Sequence, residues 1–139
     1  MAERIENLVR KALDAYQSGA TEAMLEFADP ELEVHIAPSL VNPGTMTGPN
    51  ELRSMTRDWE EAWRDVTYEI EEFTELGDGR AVAQVHTFGE GSFSGLKVDM
   101  RQGWMWEVRD GRFTRWHLYP SIEDALEAAR ALEQGQAQE

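Results

Sequence analysis

Residues 98–119 read VDMRQGWMWEVRDGRFTRWHLY, and this stretch decides the fold. Polar and apolar side chains alternate in its first half, where Trp104 and Trp106 belong to the same set, and this period of two predicts a strand with one buried face. The Asp110-Gly111 pair is typical of a tight hairpin turn. We therefore expect residues 112–119 to return as an antiparallel neighbour of the tryptophan-bearing strand.

Strand and helix patterns extend outward from this hairpin. They predict five strands, at 32–36, 66–74, 80–88, 96–108 and 112–119. Apolar residues at helical spacing predict helices at 3–18, from Thr21 to the residue before Pro30, from Asn50 to Trp63, and from Ser121 to about 132. The irregular stretch 38–49 is predicted to be a loop that forms a lid or a pocket rim.

The order of these elements predicts one α+β domain over residues 1–134, in which helices pack against an antiparallel sheet. A chain of 139 residues is long enough to bury one substantial core. The polar segment 135–139 is expected to be a flexible tail.

Charge and composition exclude several classes of function. The net charge of −14 repels polyanions, so neither nucleic acid nor an anionic membrane surface is an expected partner. The chain has no cysteine, which excludes disulfides, thiolate nucleophiles and cysteine-based metal sites. Its three histidines lack metal-ligand spacing and it has no phosphate-binding glycine motif, so we expect neither a metal nor a cofactor. A charged amino terminus and the lack of an apolar run of about 18 residues predict a cytoplasmic protein.

The strand at 80–88 carries the candidate catalytic residue. One of its faces holds Val82, Gln84, His86 and Phe88, and the other holds Ala81, Ala83, Val85 and Thr87. Hydrophobicity alone leaves open which face is buried. If the first set points inward, His86 and Gln84 lie beside the tryptophan-bearing strand. An imidazole in that place suits a general base because it titrates near neutrality, and the alternative is a structural histidine held by hydrogen bonds.

The five tryptophans lie on a predicted helix and two predicted strands that converge on one interior. They either fill a solid aromatic core or line a cavity. Because several indoles are hard to pack tightly, the set favours a cavity that accepts flat ligands. The phenol of Tyr16, on the inner side of the first helix, is expected to face the same space.

Three short motifs connect the chain to a known family: DPELEVH at 29–35, GPNEL at 48–52 and VRDGRF at 108–113. Together with the order of elements, they resemble SnoaL-like members of the nuclear transport factor 2-like superfamily over roughly residues 5–129. The resemblance implies a cone-shaped α+β barrel, in which a curved antiparallel sheet wraps around the N-terminal helices and leaves a central pocket. The superfamily includes polyketide cyclases, ketosteroid isomerases, epoxide-hydrolase-like enzymes and binding domains, so the fold cannot name the reaction.

The resemblance also bears on catalytic residues. Cyclases and epoxide hydrolases of this type carry an aspartate where this chain has Leu118, and the isomerases carry a carboxylate base near the position of Ile36. The Arg-x-Asp pair of the epoxide hydrolases corresponds to Gln84 and His86. The resemblance therefore implies an inward-facing His86 that replaces the missing carboxylates as base.

Two functions follow from these observations. One is an isomerase- or cyclase-type enzyme that moves a proton next to a carbonyl, and the other is a non-catalytic or dimeric accessory domain that binds a small apolar or aromatic molecule. The predicted site consists of His86 as the catalytic residue and, as ligand-binding residues, Tyr16, Trp59, Trp63, Gln84, Met100, Gln102, Trp104, Trp106, Trp116 and Leu118. A homodimer is expected through an outward sheet face formed by Ala83, Val85, Met105 and His117.

Overall fold

The computed structural model describes residues 5–37, 44–76, 79–91 and 95–138. These residues form the helices α1 (Ile5–Met24), α2 (Gly48–Ala62) and α3 (Ile122–Gln138), and a 3-10 turn at Leu25–Phe27. The strands are β1 (Ala28–Ile36), β2 (Gly44–Thr47), β3 (Trp63–Glu75), β4 (Arg80–Gly91), β5 (Lys97–Arg109) and β6 (Arg112–Tyr119). The five predicted strands are confirmed, with ends that differ by up to four residues from the predicted ones.

The strands form one curved, unclosed sheet in the order β2-β1-β6-β5-β4-β3. Neighbouring strands are antiparallel, as predicted, except that β1 runs parallel to β6. The strand β2 falls within the predicted loop at 38–49, where it pairs with β1 from Thr47 to Gly44. Residues 38–43, the rest of that predicted lid, lie outside the described part of the chain.

Three helix predictions differ from the structure. The short helix predicted from Thr21 to the residue before Pro30 is wrong: Thr21 lies within α1, Leu25–Phe27 form the 3-10 turn, and β1 already begins at Ala28. The first helix is predicted to end at residue 18, but α1 continues through Gly19 to Met24, since one glycine costs a helix only about 1 kcal/mol. The helix α3 continues to Gln138, into the segment predicted as a polar tail, because that segment is rich in strong helix formers. None of the described helices is long and apolar enough to cross a membrane.

The sheet has an inner face, which packs against α1 and α2, and an outer face, which packs against α3. On the inner face, Leu8, Val9 and Ala12 of α1 join the buried indoles of Trp104 and Trp106. On the outer face, Ile122, Ala125 and Ala129 of α3 cover Val82 and Met105. Gly103 lets the start of α3 approach the sheet, because a Cβ there would lie 2.1 Å from the carbonyl oxygen of Ser121.

The predicted orientation of the strand at 80–88 is wrong. In an antiparallel pair, directly opposite residues project on the same side of the sheet. Ala83 lies opposite Trp104, whereas His86 lies opposite Arg101, so β4 turns its alanines inward and His86 outward. The physical reason is steric: facing two indoles, the inner side of β4 has room for small side chains. Because alanine is only weakly apolar, the sequence pattern did not indicate that the alanine-bearing side of β4 faces inward.

The predicted dimer face is wrong for the same reason. Ala83 and Val85 lie on the inner face, and Met105 is fully buried beneath α3. His117 is the only member of the proposed set that lies on the uncovered outer face, next to His35 of β1.

Candidate functional site

A cavity of about 70 Å³ lies between α1 and the inner face of the sheet. Its wall is mostly apolar and includes Val9, Ala12 and Leu13 of α1 and Leu52 of α2. Six aromatic side chains also line it: Tyr16, Tyr68, Trp104, Trp106, Phe113 and Trp116. Among the described residues around the cavity there is no carboxylate, imidazole, amine or guanidinium.

Five of the six aromatic rings of the wall form a continuous set of ring contacts, three of which are edge-to-face. The ring of Trp104 meets those of Trp116 and Trp106 at centroid distances of 5.0 and 6.0 Å, both at 73°. It also contacts Tyr68 at 5.9 Å, and Tyr68 in turn meets Tyr16 at 6.0 Å. Such contacts favour particular relative orientations of neighbouring rings.

Two indole N–H groups at this wall differ in their hydrogen bonding. The Trp104 Nε1 atom donates to Oε1 of Gln102 at 3.0 Å. The Trp116 Nε1 atom is buried and has no hydrogen-bond partner in the described structure. Buried polar groups are rarely left unpaired in folded proteins, so this donor requires an explanation.

The structure brings part of the predicted ligand-binding set together. The cavity is lined by Tyr16, Trp104, Trp106 and Trp116. Three further predicted residues project from the same inner face but do not line the cavity: Met100, Gln102 and Leu118. Their direction follows from their strand partners on that face, which are Thr87, Val85 and Trp104. Trp59 and Trp63 belong to α2 and β3, and their side chains lie outside the described part of the structure. The ligand-binding role of these residues remains a prediction.

His86 and Gln84 lie on the opposite side of the sheet from the cavity. The His86 side chain is only 8% exposed, and its Nε2 atom lies 2.5 Å from Oδ1 of Asp99. Gln84 donates to Glu71 at 2.9 Å, and the Arg101 Nε group donates to the same oxygen at 3.0 Å. The hydrogen bonds from Arg101 and Gln84 lower the pKa of Glu71. His86 is thus part of a polar network on the outer face.

This network contains three side chains with metal-ligating atoms, a grouping that the sequence did not reveal. Atoms of Glu69, Glu71 and His86 able to bind a metal lie within 4.8 Å of one another. They come together because Glu69 and His86 are directly opposite each other on β3 and β4. Protein partners already hold two of the three groups, since Glu71 accepts from Arg101 and His86 contacts Asp99. The expectation of no metal remains a prediction.

A second depression, open to solvent and about 510 Å³ in volume, lies on the outer face at β1, β2 and β6. It is lined in part by His35 and His117, whose rings stack at a centroid distance of 4.7 Å. His117 contacts Glu107 at 2.8 Å, and this hydrogen bond lowers the pKa of Glu107. Burial raises the pKa of the neighbouring Tyr119. The sequence analysis placed His117 on an outward face but missed the depression, because the β1–β6 pairing is parallel and joins segments that are distant along the chain.

Residues 9–116 match the sequence model of a family described as the SnoaL-like domain. No curated protein matches the chain.

Several solved structures share the fold. An NTF2-like protein of unknown function from Burkholderia pseudomallei is 16% identical, with a TM-score of 0.74 over 88% of this chain and 94% of its own. A putative SnoaL-like polyketide cyclase from Jannaschia sp. is also 16% identical, with a TM-score of 0.72 over 87% of this chain and 88% of its own. A hypothetical protein from Catenulispora acidiphila, with a ketosteroid isomerase-like fold and in complex with trimethylamine, is 14% identical, with a TM-score of 0.71 over 83% of this chain and 85% of its own. Identities this low establish the α+β cone fold alone.

Proposed function

The chain belongs to the SnoaL-like domain family, and from this premise we propose that it binds a small apolar or aromatic molecule in the cavity between α1 and the inner face. The fold is consistent with isomerase- or cyclase-type ligand binding. The observation that carries the proposal is an internal space bordered by six aromatic rings, a lining typical of sites for flat apolar ligands.

Size limits the ligand. The cavity measures about 70 Å³. An engineered protein cavity of about 150 Å³ holds benzene, and sites for drug-sized molecules begin near 300 Å³. A single ring is therefore accommodated only if wall side chains move, and a four-ring molecule would require α1 to separate from the sheet. The relative of the same fold in complex with trimethylamine supports a small ligand.

The same geometry favours binding over proton transfer. The described cavity lining offers no group that exchanges a proton near neutral pH, and His86 lies on the other face. A general base must reach the proton it removes, directly or through one water. Catalysis by His86 on a ligand in this cavity is therefore not part of the proposal.

Benzene, naphthalene and progesterone test the proposal as a size series, with thermal stabilisation and tryptophan fluorescence as readouts. We expect benzene to raise the melting temperature through binding to the folded state, and progesterone to have no effect. Ala12→Leu places extra atoms in the cavity and should weaken benzene binding by about tenfold or more, equivalent to about 1.4 kcal/mol.

His86→Ala is the matched control on the outer face. Because distant sites act independently, it should leave benzene affinity within about twofold. The proposal fails if neither benzene nor naphthalene stabilises the wild-type protein, or if Ala12→Leu binds benzene as tightly as wild type.

The outer face favours a homodimer as an additional property. The strip around the stacked rings of His35 and His117 is outside the cluster covered by α3. Arg115 lies within 3.9 Å of Glu33 and 3.6 Å of Glu107, so local charge is balanced despite the net charge of −14. Such a strip lets two copies approach without strong repulsion. Sedimentation of the wild type and of His117→Glu tests this: a monomeric wild type at high concentration would contradict it.

A further inference from the structure

The His86 side chain carries one hydrogen-bonded and one unbonded ring nitrogen. Its Nε2 atom lies 2.5 Å from Oδ1 of Asp99, and because an ionised carboxylate only accepts, Nε2 is the donor. In the neutral ring the lone pair then lies on Nδ1. Nδ1 lies 4.0 Å from Oε2 of Glu71, which is too far for a hydrogen bond, and no other described residue bonds to it. A side chain that is only 8% exposed thus holds an acceptor nitrogen beside a carboxylate oxygen.

The carboxylate of Glu71 is held in place through its other oxygen. Oε1 accepts from Gln84 at 2.9 Å and from Nε of Arg101 at 3.0 Å. Oε2, the atom 4.0 Å from His86 Nδ1, accepts no hydrogen bond from the described residues. The protein partners of His86 and Glu71 therefore leave one ligating atom of each side chain available, and these two atoms are close together.

Glu69 brings a second carboxylate to the same place. It lies directly opposite His86 in the β3–β4 pair, so both side chains project from the outer face. Metal-ligating atoms of Glu69, Glu71 and His86 lie within 4.8 Å of one another. Glu69 is exposed, and within the described part of the chain no hydrogen bond or ion pair holds its carboxylate. Two carboxylates and one imidazole nitrogen therefore converge at this edge of the sheet.

We propose that Glu69, Glu71 and His86 bind one divalent transition-metal ion on the outer face, where β3 forms the edge of the sheet. A cation between them replaces the repulsion of a lone pair and two carboxylates by attraction. Imidazole nitrogen combined with carboxylate oxygen is a ligand set of zinc and of neighbouring first-row metals. The inference is independent of the proposed function. It departs from the sequence-based expectation of no metal, because the register that joins the three side chains cannot be read from the sequence.

The surrounding hydrogen bonds have the form of an outer shell around a metal site. A metal-bound histidine typically donates its other ring N–H to a carboxylate, as His86 does to Asp99. Ligating carboxylates are hydrogen-bonded in turn, as Glu71 is by Gln84 and Arg101. Two ligand atoms of one tetrahedral zinc ion lie about 3.4 Å apart, so a small side-chain rotation closes the 4.0 Å separation of Nδ1 and Oε2. The net charge of −14 also attracts cations.

Titration with Zn2+, after treatment of the protein with EDTA, tests this inference. Calorimetry measures the stoichiometry and the dissociation constant, and thermal unfolding measures the stabilisation. We expect one ion per chain at micromolar Zn2+ and a raised melting temperature, since the ion joins the edge strand β3 to β4 in the folded state only. Mg2+ should bind more weakly by about tenfold or more, because it prefers a full set of oxygen ligands.

Glu69→Gln and Glu72→Gln form a matched pair on β3. Both remove one negative charge from an exposed side chain, but Glu72 is not part of the converging set. We expect Glu69→Gln to weaken Zn2+ binding by about tenfold or more, since even outer-shell changes at metal sites have effects of this size. Glu72→Gln should keep the affinity within about twofold of wild type, because salt screens an exposed charge that does not touch the ion.

Imidazole 15N spectra of the wild type identify the ligating nitrogen without any variant of the buried histidine. Zn2+ should move the Nδ1 signal of His86 and leave those of His35 and His117 in place. The inference is overturned if Zn2+ does not bind at micromolar concentration, or if Glu69→Gln binds it as tightly as Glu72→Gln does. Movement of the His35 or His117 signals instead would place the ion elsewhere and would also overturn it. None of these outcomes bears on benzene binding in the cavity.

Discussion

The side chain of Thr87 is 1% exposed, and its hydroxyl has no hydrogen-bond partner in the described structure. A buried hydroxyl without a partner destabilises the folded state, and valine has nearly the same shape without this polar group. We therefore expect Thr87→Val to raise the free energy of unfolding by about 1 kcal/mol. Urea denaturation at neutral pH measures the change.

Thr56 offers a matched comparison. Its side chain is also buried, but its hydroxyl donates to the carbonyl oxygen of Leu52 at 3.1 Å. The same substitution, Thr56→Val, should lower the free energy of unfolding by about 1 kcal/mol, because it removes a hydrogen bond that is made. Equal losses in both variants would mean that the Thr87 hydroxyl has a partner after all.

At the scale of elements, the hairpin of β5 and β6 was predictable and the orientation of β4 was not. Trp104 and Trp106 are large apolar side chains on the same side of β5, so the sequence alone identifies that side as the buried one. On β4 both faces are covered, the inner one by α1 and the outer one by α3. Neither of its two sets of alternating residues therefore has the polar composition of an exposed face. The orientation is set by which residues face the indoles, which depends on register.

The same reasoning explains what the sequence revealed of the candidate site. Tyr16 and three tryptophans were assigned correctly to one interior, because helical and strand periodicity fix their directions. The outer network around His86 was missed because it joins three strands through cross-strand neighbours. Such pairs appear only when the register is known.

The packing of Ala83 against Trp104 gives the test of strand orientation. Ala83→Leu adds atoms where no space remains, and we expect it to lower the free energy of unfolding by about 3 kcal/mol. Gln84→Leu, one residue along on the outer face, loses its hydrogen bond to Glu71 and should cost only about 1 kcal/mol. Guanidinium denaturation compares the two. The reverse order of stability would contradict the observed orientation of β4.

For the whole molecule, the net charge of −14 means that a fall in pH has two opposing effects on the stability of the folded state. Protonation of carboxylates relieves repulsion across the surface, which favours the compact state. It also removes carboxylates that make favourable contacts only in the folded protein, which opposes it. Glu107 belongs to the second group, because it contacts His117 at 2.8 Å, Arg115 at 3.6 Å and the buried Arg80 at 3.6 Å.

Glu107 should therefore account for much of the stability that the folded protein loses at acid pH. The hydrogen bond from His117 keeps its pKa in the folded state below the ordinary value of 4.5, so the unfolded chain takes up the proton first as the pH falls. Its stabilising contribution is complete above about pH 4.5 and disappears as the pH drops through the lowered folded value.

Glu107→Gln lacks this contribution at every pH. We expect the variant to be less stable than wild type at pH 7, where Arg80 loses its counter-charge, and the two curves to converge below pH 4.5. Urea denaturation between pH 7 and pH 3 measures the difference, and Glu127→Gln, an exposed position on α3, serves as the control with a constant difference. A gap between wild type and Glu107→Gln that stays constant down to pH 3 would mean that this carboxylate gains nothing from its three basic neighbours.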